Sequence, residues 1–384
     1  MKRWPAALAA LLMAAPAAAQ ETPEWAGVWD GRVGSYPVRL CIDGWGDGPA
    51  RGAYYYLSQL EPIALSEEDG EGGWIERAPD GEQQARWEFA EQTGERLRGI
   101  WRQGRRGLPF DLKPVTWDAG EYGGPCGSDA FLGPRMAGGE VLSAPAELAG
   151  WRYTAQTYRP PAHFAGELAL ESFIFAPEQP GDRRILAELA KGLPTGSHLD
   201  PYLQCMGDSI AVNGRDGDYW AAARPILASP DWLVTFDSYD LYCGGAHPSH
   251  GYFHRTFDRR SGAQVELARW FAETAIEHRA SESQSEAYDL VRPPLRELIV
   301  AHEPSDAFPA EEGAEAEPYE PDCRELAREE EFWTFGLGRE GMLFVPSVPH
   351  VAAVCMTTFT VPWTELEPLL SDEGRAGLAR LRGG

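Results

Sequence analysis

The sequence predicts an α+β protein: an antiparallel β meander closed into a barrel-like unit, followed by an α+β domain with an antiparallel sheet. Three observations carry this. Between Trp25 and Trp117, eight short strand-like runs recur at a spacing of roughly ten residues, separated by glycine-containing or acidic turns. Beyond residue 149 strand-like and helix-like patterns are interspersed, as in helices laid beside an antiparallel sheet. Residues 242–262, YCGGAHPSHGYFHRTFDRRSG, join two strand patterns at a glycine pair and are the most unusual stretch of the chain.

Taken in order, residues 1–20 read as an export signal: Lys2 and Arg3 in front, an apolar core at 6–15, and small residues at 17–19 for cleavage. The core is too short to span a bilayer, and no later run approaches the roughly 20 apolar residues a membrane helix needs. No cysteine directly follows the cleavage site, so no lipid anchor is expected. The expected address is periplasmic or secreted, without membrane insertion.

The eight runs of the first domain, 22–118, are 27–33, 36–42, 51–57, 62–66, 73–78, 85–90, 96–101 and 108–113. Trp29, Trp74, Trp87, Phe89 and Trp101 are large enough to fill a barrel with strands this short; a lipocalin-like ligand cavity is the alternative. Alternation sends Tyr55 to the face opposite Tyr54 and Tyr56, which predicts core on one side. Residues 119–148 are glycine-rich, lack a sustained period and read as a linker.

The second domain, 149–384, opens with strand patterns at 151–158 and 166–175 and a helix around 182–191. Residues 232–242 alternate with Trp232, Val234 and Phe236 on one face, which predicts a half-buried strand. Its partner is 252–258. A short strand at 263–267, a helix at 268–279 and a helix at 286–302 interrupted by Pro293 and Pro294 are expected to follow. Residues 303–331 carry twelve carboxylates against Arg324 and Arg328, and 303–321 reads as a solvated acidic surface loop.

Gly244-Gly245-Ala246-His247, the aromatic strand ending in Phe257-Asp258, Ser261-Gly262 and the apolar run into Trp270-Phe271 resemble the signature of the RsiV-like family. This domain of unknown function forms the outer half of lysozyme-sensing anti-sigma factors and accompanies some secreted polysaccharide deacetylases. Residues 332–335, the turn 338–341, and 342–345 and 359–366 resemble its closing strands and final helix. Cys243 before the glycines and Pro248 after the histidine depart from the pattern. The resemblance implies a binding module with no catalytic residue to transfer. It makes Tyr242, Gly244, Gly245, His247, His250 and Asp258 the candidate binding residues, and lysozyme, another cationic protein or a wall glycan the candidate partners.

Six cysteines with no Cys-x-x-Cys spacing argue for disulfides over zinc or a redox centre. Fifteen pairings are possible. If each domain closes on itself, the simplest is Cys41 with Cys126, Cys205 with Cys243, and Cys323 with Cys355. The formal charge is -25, or -27 once Lys2 and Arg3 leave with the signal. Such a field repels nucleic acid and anionic lipid. It keeps an exported protein soluble and would also attract a basic partner.

His247, His250 and His254 invite a metal reading, but along one strand His250 and His254 sit roughly 13 Å apart, too far for one ion. The reading preferred for His247 is structural, its ring bonded to backbone groups of the glycine turn. Gly207-Asp208-Ser209-Ile210 resembles the nucleophile block of GDSL-type esterases, which makes Ser209 the suspect for a hydrolase alternative. The Asp-x-x-His element those enzymes need occurs nowhere in the chain. No phosphate loop, dinucleotide fingerprint or zinc-protease helix occurs, so no cofactor or metal is expected.

Overall fold

The structure, a computed structural model, describes residues 23–44, 50–68, 73–77, 82–118, 124–164, 168–195, 200–280, 287–303 and 323–383 of the 384. The export signal expected at 1–20 lies outside the described residues, as does the acidic loop beyond Glu303. No helix among the described residues is long and apolar enough to cross a membrane.

Strands β1 (Gly27–Val33), β2 (Tyr36–Asp43), β3 (Arg51–Tyr56), β4 (Ile63–Glu67), β5 (Gly73–Arg77), β6 (Gln83–Gln92), β7 (Leu97–Gln103) and β8 (Arg106–Val115) pair antiparallel in sequence order. Closure of the barrel comes from β1 on β8, with Val28 opposite Val115 and Val33 opposite Phe110. Trp29, Tyr54, Trp74, Trp87 and Phe110 are fully buried inside, with ring centroids 4.7 Å apart for Trp87 and Phe110 and 5.0 Å for Tyr54 and Trp87. The interior is thus a packed core of rings, and a residue such as Phe110 contributes about 1.5–3 kcal/mol by leaving water. Its buried carboxylate, Glu76, accepts hydrogen bonds from the Tyr54 hydroxyl (2.9 Å) and the Trp101 indole (2.7 Å). Burial, with the Glu76 charge beside it, pushes the Tyr54 hydroxyl far above its ordinary pKa. Tyr55 points the other way: its hydroxyl donates to the Phe131 carbonyl (2.7 Å), and its ring packs on Phe131 outside the barrel.

The barrel is followed by α1 (Asp129–Met136), β9 (Glu140–Leu148), β10 (Trp151–Arg159), β11 (Leu168–Ile174), α2 (Asp182–Ala190), α3 (Pro201–Asn213), β12 (Asp218–Ala228), β13 (Trp232–Tyr242) and β14 (Ser249–Asp258). The strands form one sheet of order β14-β13-β12-β11-β10-β9, antiparallel except where β11 meets β12. The range read as a linker therefore holds a helix and an edge strand. Glu140, Pro145 and Glu147 suit β9 to an edge, where a missing N–H and charged side chains blunt further pairing. Over its first residues strand β13 is buried on both faces instead of one: Trp232 and Val234 enter one core, Leu233 enters another beneath α2, and Thr235 is fully buried as well, while Tyr239–Tyr242 are only partly covered or exposed. Helix α3 is wedged against the barrel's outer wall, where Leu203, Met206 and Ile210 share a core with Val28, Ala53 and Tyr55.

The remainder comprises β15 (Ile276–Ala280), β16 (Ala287–Val291), α4 (Pro293–Ala301), α5 (Cys323–Glu329), β17 (Trp333–Leu337), β18 (Gly341–Pro346), β19 (Phe359–Pro362), α6 (Trp363–Leu366) and α7 (Asp372–Gly383). The helix expected at 268–279 is a 3-10 turn, Leu267–Trp270, followed by β15. Its backbone is claimed from outside: Ser371 N–H donates to the Trp270 carbonyl and Ala272 N–H to that of Leu369. The helix expected at 286–302 is a strand and then a helix. Pro293 and Pro294 occupy the first helical positions, where a missing N–H costs nothing, so they begin α4 instead of kinking it. The strand expected at 263–267 shrinks to a single bridge between Gln264 and Phe257.

Candidate functional site

Strands β13 and β14 pair from Trp232 opposite Asp258 to Leu241 opposite Ser249, so the connection 243–248 stands at the far end of a long hairpin. A disulfide from Cys243 to Cys205 on α3 holds that end. Gly244 has φ +85°, open to glycine at no steric cost, and a β-carbon there would lie 2.8 Å from Ser209 Cα. The glycine thus lets the loop lie directly on α3. Tyr242 closes the strand beside it, its hydroxyl accepting a long hydrogen bond from Asn213 Nδ2 (3.4 Å).

Beyond the glycines, the exposed His247 ring places Nδ1 3.1 Å from the Pro248 carbonyl and stacks on His350, centroids 4.7 Å apart and planes 14° apart. His250 lies against the same ring at 4.7 Å, tilted by 48°. His350 opens the 3-10 segment His350–Cys355, whose other end is held by the Cys323–Cys355 disulfide. Ala352 and Cys355 turn inward, whereas Val351 is 85% and Val354 69% exposed. The product is an outward patch of imidazole and valine, with both contributing loops clamped by disulfides. Desolvation, then the neighbouring His247 and His250, lower the His350 pKa, with Asp240 acting the other way. His247 and His350 meet face to face, and no group of three or more His, Cys, Asp or Glu among the described residues is arranged to hold a metal ion.

The other residues singled out by sequence lie elsewhere. His254 is interior, 5.4 Å from the Phe236 ring, with Gly336 of β17 against it; Nδ1 has no partner and burial lowers its pKa to about 4. Asp258 sits eight residues from His250 along β14, roughly 26 Å at 3.3 Å per residue. Its carboxylate accepts from the Arg260 and Ser261 N–H groups and from Arg380 of α7, so it shapes a turn and anchors the last helix. Burial pushes its pKa up, but these donors outweigh it and leave the carboxyl below its ordinary range. Ser209 lies inside α3 rather than at a strand end; it is fully buried and its hydroxyl has no hydrogen-bond partner, so no base touches it.

The structure thus brings Tyr242, Gly244, Gly245, His247 and His250 to one end of the hairpin and leaves Asp258 at the other. It adds His350, Val351 and Val354, about a hundred residues away in sequence, for which the nearby Cys355 was the available signal. All three disulfides, Cys41–Cys126, Cys205–Cys243 and Cys323–Cys355, follow the domain-by-domain pairing.

No family model matches the chain, and no curated protein matches it. Among solved structures, the chain is similar to a DUF3298 family protein from Pseudomonas aeruginosa PAO1, with 13% identity, a TM-score of 0.35, and coverage of 61% of this chain and 94% of that one. It is also similar to a DUF3298 member from Bacteroides fragilis NCTC 9343, with 14% identity, a TM-score of 0.34, and coverage of 62% and 94%.

Proposed function

We propose that this chain is an exported, non-catalytic binding protein of the cell envelope that takes a cationic protein on the patch formed by His247, His350, Val351 and Val354. The observation that carries this reading is the double clamp. Two of the three disulfides fix the two loops that present the patch, an arrangement that lowers the ordering cost of binding. Charge supports the choice of partner. The chain is already acidic, and residues 303–331 carry twelve carboxylates against Arg324 and Arg328, a composition that favours a cationic partner. The resemblance to the RsiV-like family points the same way. The alternative, a hydrolase using Ser209, draws no support from a hydroxyl with no exposure.

Calorimetry with hen lysozyme at about 150 mM and about 500 mM salt tests this, since the higher salt screens attraction between exposed charges. The expected result is an affinity that survives the higher salt and falls at least tenfold in Val351→Arg/Val354→Arg at unchanged melting temperature. Absence of binding, loss with salt alone, or indifference to the double substitution overturns the proposal.

A further inference from the structure

A cavity of about 430 Å³ lies between residues 263–266 and α7, and Trp232 and Trp270 also line it. Its first wall is a layer laid on the edge of the large sheet. Beyond the edge strand β14 the chain turns back, so that Asp258 N–H donates to the Ala263 carbonyl (2.9 Å) and Val265 N–H to that of Thr256 (2.8 Å). Gln264, bridged to Phe257 between these bonds, therefore points its own N–H and carbonyl away from β14, because successive residues of a strand alternate in direction. Neither group has a partner among the described residues. The opposite wall is one face of α7, where Glu373, Ala376, Gly377 and Arg380 fall at helical spacing.

Two buried donors of residues lining this cavity lack acceptors. The Trp232 indole, 2% exposed, bonds nothing through Nε1, and neither does Nε of Arg380, whose guanidinium lies 4.2 Å from the Trp232 ring centroid. An unpaired buried N–H calls for an acceptor. The Arg380 charge is already balanced by Asp258 (2.9 Å) and Asp231 (3.3 Å), so a neutral carbonyl fits better than a carboxylate. At the rim Glu373 is exposed and makes no ion pair among the described residues, whereas its neighbour Asp372 is held by Arg375. An edge with outward backbone groups, facing a helix, is the geometry in which an extended peptide adds a strand. We infer that this groove takes an extended peptide alongside 263–266, its backbone paired with Gln264, a carbonyl accepting from Trp232 and Arg380, and a basic side chain set against Glu373. The groove shares no residue with the hairpin patch, so each proposal stands or falls alone.

The test is calorimetric titration of the full chain with an end-capped pentapeptide of alternating lysine and valine. Two comparisons accompany it: the same peptide with alternate amide nitrogens methylated, which keeps the charge and blocks strand pairing, and the analogue with glutamate in place of lysine. The expected outcome is saturable binding of the first peptide, at least tenfold weaker for both comparisons. Gln264→Pro removes the outward N–H and Ala376→Trp fills the groove from the helix side; each should weaken binding at least tenfold at unchanged melting temperature. Equal binding of the methylated peptide overturns strand addition, and equal binding of the glutamate analogue overturns the role of Glu373. No binding of the first peptide, or indifference to both substitutions, overturns the inference as a whole.

Discussion

Acidification should weaken this fold through His254, and the effect can be isolated. The imidazole lies 7% exposed between the Phe236 ring and Gly336, where a methyl group would come within 2.6 Å of the His254 Cβ and Cγ atoms. A charge there has no partner, and Nδ1 is unbonded. A histidine whose folded pKa is depressed leaves stability intact above its unfolded value. That stability then drains away as the unfolded chain takes up a proton the native state refuses. The gap between the ordinary ~6.5 and about 4, at about 1.4 kcal/mol per pH unit, amounts to roughly 3 kcal/mol lost across that window. This is a large share of a stability of about 5–15 kcal/mol. Urea unfolding at pH 7, 6, 5 and 4.5 should show the loss in the native protein. His254→Leu, which keeps the branch at Cγ, should have a pH slope shallower by close to one proton. His163 and His350, also depressed, contribute to both proteins and cancel in the comparison. Parallel decline of the two proteins between pH 6.5 and 4.5 would refute the reasoning.

Asp182 and Arg259, 0% and 2% exposed, form a bidentate pair, so Asp182→Ala should cost about 3–5 kcal/mol by denaturant unfolding while Asp182→Ala/Arg259→Met recovers much of it. Burial raises the Asp182 pKa, but Arg259 and the Gln179 and Glu178 N–H groups lower it further; the stability it adds is complete above the ordinary carboxylate range and drains below pH ~4, as a native-versus-Asp182→Asn comparison should show. Cys323→Ser/Cys355→Ser opens a loop of 32 residues, which the chain-entropy relation values at about 3.7 kcal/mol, and should also weaken partner binding at temperatures where the chain stays folded. Gly214→Ala forces a methyl into Ala64 at a left-handed position and should cost about 1–3 kcal/mol, read as a lower melting temperature.

The barrel was legible because each short strand announces itself by alternation and a turn, and Tyr54 and Tyr55 fall on opposite walls as period two requires. Helix α3 was not legible. It is covered by barrel, sheet and loop, so apolar and small residues surround it and no stripe marks one face. Strand β12 hid behind Pro225, which normally argues against an interior strand; here the proline stands where the register slips. Half of the candidate site could be read from the glycine pair and its histidine. The other half depends on a pairing of His350 with His247 that no local pattern encodes.

The three disulfides close separate, non-overlapping loops: first cysteine to second, third to fourth, fifth to sixth. A chain entering an oxidising space from its N-terminus presents each native partner next in line, so pairing in order of arrival yields the native set among fifteen alternatives. Oxidative folding of this protein therefore needs no reshuffling step, and a single lost cysteine strands only its immediate neighbour.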